Sequence, residues 1–417
     1  MKPHLVVFST LFPHAGAPNA GPFIRERMFR VGAGLPVTVV SPQPWFPGQA
    51  LLRHWKPHFR PAAPRRESHQ GIAVLHPRFF SVPGVFKRFD GLFMALSCYF
   101  TVKRLQHAGK LDILDAHFGY PDGYAATLLG RWLRVPVTIT LRGTEVPHAR
   151  NPALRPRLVS ALQAATRVFS VSESLRQHAI SLGIAGDKVR VVGNGVDTAK
   201  FHPADRAQAR AQLGIAADVP VLISVGGLVE RKGFHRVIAC LPELIARYPE
   251  LQLLIVGGAS AEGDMRAELE QQVAELRVQA HVRFLGILPA ASLKWPLSAA
   301  NVFVLSTRNE GWANVFLEAM ACGLPVISTD VGGNAEVVCR AELGTIVPFD
   351  EHEALRDALM TALARDWDRE AILAYARDND WHTRVTVLVE EFGAIHQQHS
   401  AKAAAQPLRI CKGGRFD

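Results

Sequence analysis

The sequence lacks several features that define whole classes of protein. It has no run close to the roughly eighteen apolar residues that a membrane-spanning helix needs. Its N-terminal segment, MKPHLVVFST, carries one lysine and a short apolar run, which is typical of a first strand and not of a signal peptide. Cysteine is scarce and scattered, without a C-x-x-C pair, so neither a disulfide scaffold nor a zinc site is predicted. These absences predict a cytoplasmic protein.

Two signatures of cofactor chemistry are also missing. No G-x-G-x-x-G follows the first predicted strand, which removes the main support for a nicotinamide cofactor. No D-x-D pair lies at the end of a predicted strand, where it could hold a metal ion. We therefore expect neither a bound metal nor a cofactor.

The chain is basic, with a formal net charge of +10 and a pI of about 9.6. Aromatic and basic residues are not interleaved in a recognised nucleic-acid-binding pattern, so no nucleic-acid partner is predicted. The charge is concentrated in a Pro-rich segment without acids at 53–66, predicted not to form a regular helix, and in a segment at 85–110. The latter places Phe86, Phe89, Phe93, Leu96 and Phe100 at helical spacing. Both basic segments, 53–66 and 85–110, are candidates for contact with an anionic membrane surface. For 85–110 two interpretations stay open: a helix on anionic lipid, or a core-facing helix with solvated charged ends.

Short apolar runs alternate with helical segments along all 417 residues, which predicts an α/β protein with parallel sheets covered by helices. The runs lie at 5–8, 37–40, 72–75, 112–117, 137–141, 167–171, 189–192, 221–225, 251–256, 282–285, 302–305 and 326–329. Gly, Asn, Pro and charged residues cluster near 196–205, where we place a hinge. The sequence thus predicts two doubly wound Rossmann-like domains, 1–196 and 197–381, that face each other across a cleft.

The most informative stretch is 308–338, RNEGWANVFLEAMACGLPVISTDVGGNAEVV. It predicts a helix over 314–322, capped by Asn314 and stopped by a left-handed Gly323. The N–H groups of 313–315 would lack helical partners and form a seat for a phosphate or diphosphate. Glu310 and Glu318 flank this seat. Since carboxylates repel an anion, they are better explained as acceptors for sugar hydroxyls on either side of a diphosphate.

This stretch resembles the E-x7-E signature of the family 4 retaining glycosyltransferases, which have the two-domain GT-B fold. The resemblance extends from the first strand to a closing helix at 382–399, before a tail at 400–417 predicted to be disordered. It implies that Glu318 binds the ribose of a nucleotide and that Glu310 holds the transferred sugar. The backbone at Gly311, Ala313, Asn314 and Val315 would then meet the phosphate and sugar.

Other segments add residues to this predicted site. Arg231 and Lys232 in VGGLVERKGF would neutralise a leaving diphosphate. The lysine matches the family pattern, but Gly227 stands where the family usually has an arginine, and Arg231 is the predicted substitute. Asn194 lies in an N-G-V-D loop similar to one that approaches the nucleotide.

Residues of the first half would complete the cleft. His117 ends a predicted strand, where it could polarise a sugar or acceptor hydroxyl, as a histidine in relatives does. Arg142 and Glu145 belong to an R-G-T-E turn and would fix the cleft wall, contact donor or acceptor, or form an interdomain salt link. Gly21 would let the backbone approach the donor phosphate.

The resemblance therefore implies a retaining, metal-independent transferase that uses a nucleotide-diphosphate sugar, with UDP first and GDP second. The predicted acceptor is a glycan or polyprenyl-linked glycan of a bacterial surface polysaccharide, at the inner face of the membrane. Three alternatives remain open: an epimerase or phosphorylase on the same fold, a basic nucleic-acid-binding protein, and a silent membrane-associated protein that tethers without turnover.

Overall fold

The computed structural model describes residues 2–18, 20–55, 59–260 and 262–405. The strands are β1 Leu5–Phe8, β2 Val37–Val40, β3 Gln43–Trp45, β4 Arg66–His69, β5 Ile72–Leu75, β6 Arg78–Phe80, β7 Ile113–His117, β8 Val137–Leu141, β9 Arg167–Ser170, β10 Val189–Val191, β11 Val221–Val225, β12 Gln252–Val256, β13 Val282–Gly286, β14 Val302–Leu305, β15 Val326–Thr329 and β16 Gly344–Val347. The helices are α1 Pro22–Gly34, α2 Gln49–Trp55, α3 Asp90–His107, α4 Tyr124–Leu133, α5 Glu145–Arg150, α6 Arg155–Ala164, α7 Glu173–Ser181, α8 Arg206–Leu213, α9 Phe234–Ala239, α10 Leu241–Arg247, α11 Arg266–Glu275, α12 Lys294–Ala299, α13 Asn314–Ala321, α14 Asn334–Val337, α15 His352–Ala364, α16 Arg369–Asp378 and α17 Trp381–Ala405.

Two sheets organise the chain. The first has the strand order β10-β9-β8-β7-β1-β2-β5-β4, and the second has the order β13-β12-β11-β14-β15-β16. All neighbouring strands in the two sheets are parallel except β4, which pairs antiparallel with β5. A separate pair, β3 and β6, is also parallel. The predicted α/β class with two doubly wound domains is confirmed.

The central strands consist almost wholly of apolar residues because both of their faces are covered. All four residues of β1 and of β14 are buried, and so are all five of β11. Every apolar run predicted as a strand is one, with bounds within one residue. The sequence analysis did not predict the strands β3, β4, β6 and β16. The β4 sequence, RESH, has no apolar alternation, so only its pairing with β5 makes it a strand.

The chain crosses between the two sheets near Val196 and again near Trp381. The N–H of Val196 donates to the carbonyl of Asn379 at 3.0 Å, and the N–H of Trp381 donates to the carbonyl of Val196 at 3.2 Å. Helix α17 then returns to the first sheet, where its Phe392 packs edge-on against Phe169 of β9. The domain bounds themselves stay a prediction.

One local expectation was wrong. Helix α17 continues through Ala405, beyond the predicted start of a disordered tail at 400, and residues 406–417 lie outside the described residues. The prediction that 53–66 is not one regular helix holds for the described residues, since α2 extends only to Trp55 and 59–65 are not helical; residues 56–58 lie outside the described residues. In α3 the core side is formed by Met94, Ala95, Cys98 and Val102, whereas Leu96 and Phe100 are exposed.

None of the helices in the described residues is long and apolar enough to cross a membrane.

Candidate active site

Two adjoining cavities open between the sheets at the carboxyl ends of their parallel strands. The first, here the Glu318 cavity, has a volume of about 520 Å³ and is lined by Arg25 and Glu26 of α1 and by Gly227 and Glu318 of the second domain. The second, the Glu310 cavity, has a volume of about 560 Å³. It is lined by Arg142, Asn194, Arg231, Glu310, Gly311 and other residues. Phe23 and Asn314 line both cavities, so an elongated ligand could extend from one into the other.

The N-terminus of α13 lies where the two cavities meet. Ala313, and not Asn314 as predicted, occupies the N-cap position, and no side chain caps the helix. The Asn314 side chain instead accepts a hydrogen bond from Asn194 Nδ2 at 2.9 Å. The N–H groups of 313–315 have no acceptor within the described residues. At the other end Gly323 has φ 77°, the predicted left-handed stop. These N–H groups without acceptors and the helix dipole favour an anion at this junction.

Glu318 is half-buried in α13 and forms no hydrogen bond or ion pair within the described part of the chain. Burial raises the pKa of its carboxyl to about 7; the Lys200 charge opposes this and the Glu26 charge adds to it. A carboxylate without a protein partner at a cavity wall can accept hydrogen bonds from two neighbouring hydroxyls.

Glu310 has the opposite environment, since one of its oxygens is surrounded by donors. Its Oε1 accepts hydrogen bonds from Lys232 Nζ, from Arg231 Nη1 at 3.3 Å and from Thr307 Oγ1 at 3.2 Å. Its Oε2 has no partner within the described residues and is available to a ligand in the Glu310 cavity. Glu310 therefore holds two cations beside the anion seat while keeping one acceptor free.

Arg231 is held on its other side by Glu262. Its Nε and Nη2 donate to the two carboxylate oxygens of Glu262 at 2.5 and 2.6 Å, the paired geometry that suits arginine. The hydrogen bonds to Glu262, together with the nearby charge of Glu310, raise the pKa of the Arg231 guanidinium. Arg231 lines the Glu310 cavity but not the Glu318 cavity, where Gly227 lies.

Comparison with known proteins assigns this arrangement to a family. Residues 31–200 match Glycosyltransferase Family 4, and residues 205–379 match Glycosyl transferases group 1. The chain is 31% identical over 339 residues to D-inositol 3-phosphate glycosyltransferase of Nocardia farcinica, covering 75% of this chain and 74% of that protein. The chain belongs to glycosyltransferase family 4. The resemblance stated from the sequence is thus confirmed.

Two further relatives extend the comparison over almost the whole chain. The putative teichuronic acid biosynthesis glycosyltransferase TuaC of Bacillus subtilis is 27% identical over 383 residues, covering 90% of each chain. The structure of Anabaena HepE in complex with UDP-glucose superposes with a TM-score of 0.64 and 20% identity, covering 97% of this chain and all of that chain. The latter likeness supports the GT-B fold of this family 4 glycosyltransferase.

His117 does not line either cavity of the glycosyltransferase, and its side chain is fully buried. Its Nδ1 accepts from Arg142 Nε at 3.1 Å and Nη2 at 3.0 Å, and its Nε2 lies 3.4 Å from Asp115 Oδ2. Burial and then the Arg142 charge lower the pKa of His117 to about 4, so the ring is neutral at pH 7. In this arrangement the His117 ring supports Arg142, and its contact with a sugar or acceptor hydroxyl stays a prediction.

The hydrogen bonds from Arg142 to His117 hold the arginine at the wall of the Glu310 cavity. Its guanidinium lies over the Phe23 ring, 4.9 Å from the centroid, and its Nη1 reaches Asn194 Oδ1 at 3.5 Å. The spacing of Asp115 and His117 in the sequence could have indicated the buried pair that lies behind Arg142. Asp115 and His117 are two residues apart on β7 and so point to the same face.

Glu145 is buried and organises the turn that carries Arg142. Its Oε2 accepts from the N–H groups of Arg142 at 3.1 Å and Gly143 at 2.8 Å, and its Oε1 accepts from the N–H of Gly119 at 2.9 Å. Of the roles left open by the sequence, the structure favours the cleft wall. Gly311 shows how close the domains come here, since a Cβ at Gly311 would lie 2.2 Å from the Arg142 carbonyl oxygen.

Gly21 has φ 63° and precedes α1 without lining either cavity itself. It turns the chain so that Pro18, Pro22 and Phe23 reach the Glu318 cavity. Sequence reasoning missed Arg25, Glu26 and Lys200, which also line this cavity. They lie in helical or hinge segments without a spacing motif, so only the approach of the two domains identifies them.

Proposed function

We propose that this glycosyltransferase transfers a sugar from a nucleotide-diphosphate sugar to a glycan or polyprenyl-linked glycan acceptor, with retention of configuration and without a metal ion. UDP is the first candidate nucleotide, since the related fold of HepE holds UDP-glucose. GDP remains the second. The similarity to TuaC, a putative teichuronic acid enzyme, favours an acceptor in bacterial surface polysaccharide synthesis.

The observation that carries the proposal concerns two carboxylates on either side of the α13 N-terminus. Within the described residues, Glu318 and the Oε2 atom of Glu310 have no hydrogen-bond partner. Glu318 accepts the ribose hydroxyls in its cavity, and Glu310 Oε2 accepts a sugar hydroxyl in the other. The diphosphate between them meets the N–H groups of 313–315. Lys232 and Arg231 lie beside the same point through their bonds to Glu310.

The proposed reaction proceeds on one face of the sugar. The bond between the anomeric carbon and the diphosphate oxygen breaks, and the acceptor oxygen bonds to the same carbon from the same side. The proton of the acceptor hydroxyl passes to the departing diphosphate. Lys232, Arg231 and the α13 N–H groups stabilise the growing negative charge, and closure of the cleft would exclude water.

The donor site is tested by thermal shift with UDP, GDP, ADP, TDP and CMP on the wild type and on Glu318→Ala. A ligand at about 100 times its dissociation constant stabilises the fold by roughly 2.7 kcal/mol. We expect one diphosphate to stabilise the wild type but not the variant. No shift with any nucleotide would overturn the proposal and favour a protein that only tethers.

A turnover assay separates the transferase from the other enzymes of this fold. With the sugar nucleotide of the identified base, release of the nucleoside diphosphate should depend on an added acceptor glycan. Conversion of the donor without an acceptor would indicate an epimerase, and dependence on inorganic phosphate would indicate a phosphorylase. Steep, salt-dependent binding to random DNA would instead favour the nucleic-acid alternative.

We further propose that α3 rests on an anionic membrane surface, where a polyprenyl-linked acceptor would be found. Leu92, Leu96 and Phe100 repeat every four residues and are 36%, 55% and 68% exposed, and Phe86 nearby is 62% exposed. Asp90 is the one acid in 85–110, and it is buried and bonded to Lys87. An exposed apolar stripe with basic neighbours suits anionic lipid better than solvent.

Vesicle flotation tests this surface. We expect the wild type to float with phosphatidylglycerol vesicles and not with phosphatidylcholine vesicles, and the double variant Leu96→Ser/Phe100→Ser to stay in solution. Leu276→Ser, at an exposed leucine of the second domain, is the matched control and should float like the wild type. Equal flotation of all three proteins would rule out the α3 stripe as the contact.

A further inference from the structure

Arg25 is a cation that faces the Glu318 cavity without a partner. It lies in the second turn of α1, is half-buried and lines the cavity wall. Within the described residues its side chain forms no hydrogen bond or ion pair. Partial burial of a charge is unfavourable unless something in the site compensates it.

The other cations around the two cavities are already engaged. Lys232 and Arg231 bond to Glu310, and Arg231 also bonds to Glu262. Lys200 lies 3.3 Å from a Glu26 oxygen and 3.7 Å from an Asp197 oxygen. In the described part of the chain, Arg25 is therefore the lining cation of the Glu318 cavity that is free to meet an anionic ligand.

The part of the cavity wall formed by the second domain offers no side chain at Gly227. Its neighbour Ser260 occupies that space, since a Cβ at Gly227 would lie 3.2 Å from Ser260 Cβ. Charge for a ligand anion in this cavity must therefore come from the first domain, the α13 N-terminus, or movement of Lys232. The stem of Lys232 lies close by, 3.7 Å from where a Cβ at Gly226 would be.

We propose that Arg25 binds the diphosphate of the donor from the first domain, since the second domain offers no side chain at Gly227. This inference rests on the proposed function and adds a residue to its donor site. An anion held between Arg25 and the α13 N-terminus would also draw the two domains together, because the two groups belong to different domains.

Calorimetric titration of UDP, UMP and uridine into the wild type, Arg25→Gln and Arg25→Lys tests this assignment, with the guanine series used if GDP gives the thermal shift. Loss of a charge-assisted contact should weaken the diphosphate about tenfold or more in Arg25→Gln. Uridine should bind the wild type and Arg25→Gln with equal affinity. Arg25→Lys should recover part of the affinity for the diphosphate. Arg131→Gln, at an exposed arginine of α4, is the matched control and should match the wild type.

A second variant tests where the charge is needed. Gly227→Arg with Ser260→Gly, introduced into Arg25→Gln, should restore diphosphate affinity from the second domain. Unchanged diphosphate binding in Arg25→Gln would overturn the inference while leaving the proposed function intact. Equal weakening of UDP and uridine would also overturn it, since that pattern indicates a structural role. A wild type that binds no nucleotide would overturn the proposed function as well.

Discussion

Glu310 and Glu318 are eight positions apart in the sequence, with seven residues between them, but the surroundings of their carboxylates differ. Glu310 is paired with the cations of Lys232 and Arg231, and so fixes the position of the Lys232 ammonium. Glu318 faces a cavity from a largely apolar helix, so burial shifts its pKa upward to about 7. The same residue type therefore has different chemistry at the two positions because of tertiary surroundings.

For Glu310→Gln we expect turnover to fall on the order of 100-fold, because the carboxylate orders the sugar and the cations that stabilise the leaving group. Affinity for the nucleoside diphosphate should change by less than about threefold, since Lys232 and Arg231 remain. Steady-state kinetics and calorimetric titration measure the two effects. A larger loss of diphosphate affinity than of turnover would contradict this role.

For Glu318 we expect nucleotide affinity to rise as pH rises through about 7, because the ionised carboxylate is the stronger acceptor for ribose hydroxyls. Titrations at pH 6, 7 and 8 measure it. Glu318→Gln should bind more weakly and show little of this pH dependence. A wild-type profile as flat as that of the variant would count against Glu318 as the ribose acceptor.

The same shift makes a prediction for stability. Glu318 has a folded pKa of about 7 against an ordinary value of 4.5, so between these values the folded state binds the extra proton. Stability contributed by this site therefore falls as pH rises from about 4.5 to 7. Glu318→Gln should have nearly the same free energy of unfolding as the wild type at pH 5. At pH 8 its free energy of unfolding should be higher, by on the order of 1–3 kcal/mol. Thermal denaturation of both proteins at the two pH values is the measurement.

At the scale of elements, the turn from β8 into α5 depends on one buried carboxylate. Glu145 accepts from three backbone N–H groups, two in its own turn and one after β7. It thereby ties two neighbouring strand ends to each other and fixes the direction in which Arg142 leaves the backbone.

Glu145→Ala should destabilise the fold by about 2–4 kcal/mol, since it leaves buried N–H groups without acceptors. Chemical denaturation measures the loss. Glu173→Ala, at an exposed glutamate that begins α7, is the control and should cost less than about 1 kcal/mol. Similar losses in the two variants would argue against the three hydrogen bonds as the source.

At the scale of the whole molecule, the domains meet through a few polar contacts around the cleft. Asn194 of the first domain donates to Asn314 at the N-terminus of α13. Glu336 of the second domain accepts from the N–H groups of Glu173 at 2.6 Å and Ser174 at 2.8 Å, and so caps α7 of the first domain. A carboxylate at a helix N-terminus stabilises it both by hydrogen bonding and through the dipole.

Glu336→Ala should therefore loosen the contact between the domains without removing the donor site. We expect a larger radius of gyration in solution for the ligand-free variant than for the wild type, and weaker nucleotide-sugar affinity because closure then costs more. Small-angle scattering with and without nucleotide provides the measurement. Glu353→Ala, on α15, is the control; identical scattering of all three proteins would show that Glu336 does not hold the domains.

The sequence by itself determined the parts of this protein that depend on short-range pattern. Buried parallel strands need apolar residues on both faces, so the runs at β1, β11 and β14 were predictable. Gly323 was predictable because few other residues adopt a positive φ at a helix end. The E-x7-E spacing indicated both glutamates, Glu310 in the loop before α13 and Glu318 within the helix.

Only the tertiary structure decided which side chains share a cavity, because that depends on how two domains far apart in sequence approach each other. It brought the His117 ring against Arg142, and it placed the Glu145 carboxylate where it accepts hydrogen bonds from the backbone of its own turn. It made β4 a strand by pairing a polar segment with β5. It also brought Arg25 and Gly227 to the wall of one cavity, a relation across 202 residues of chain that no local pattern contains.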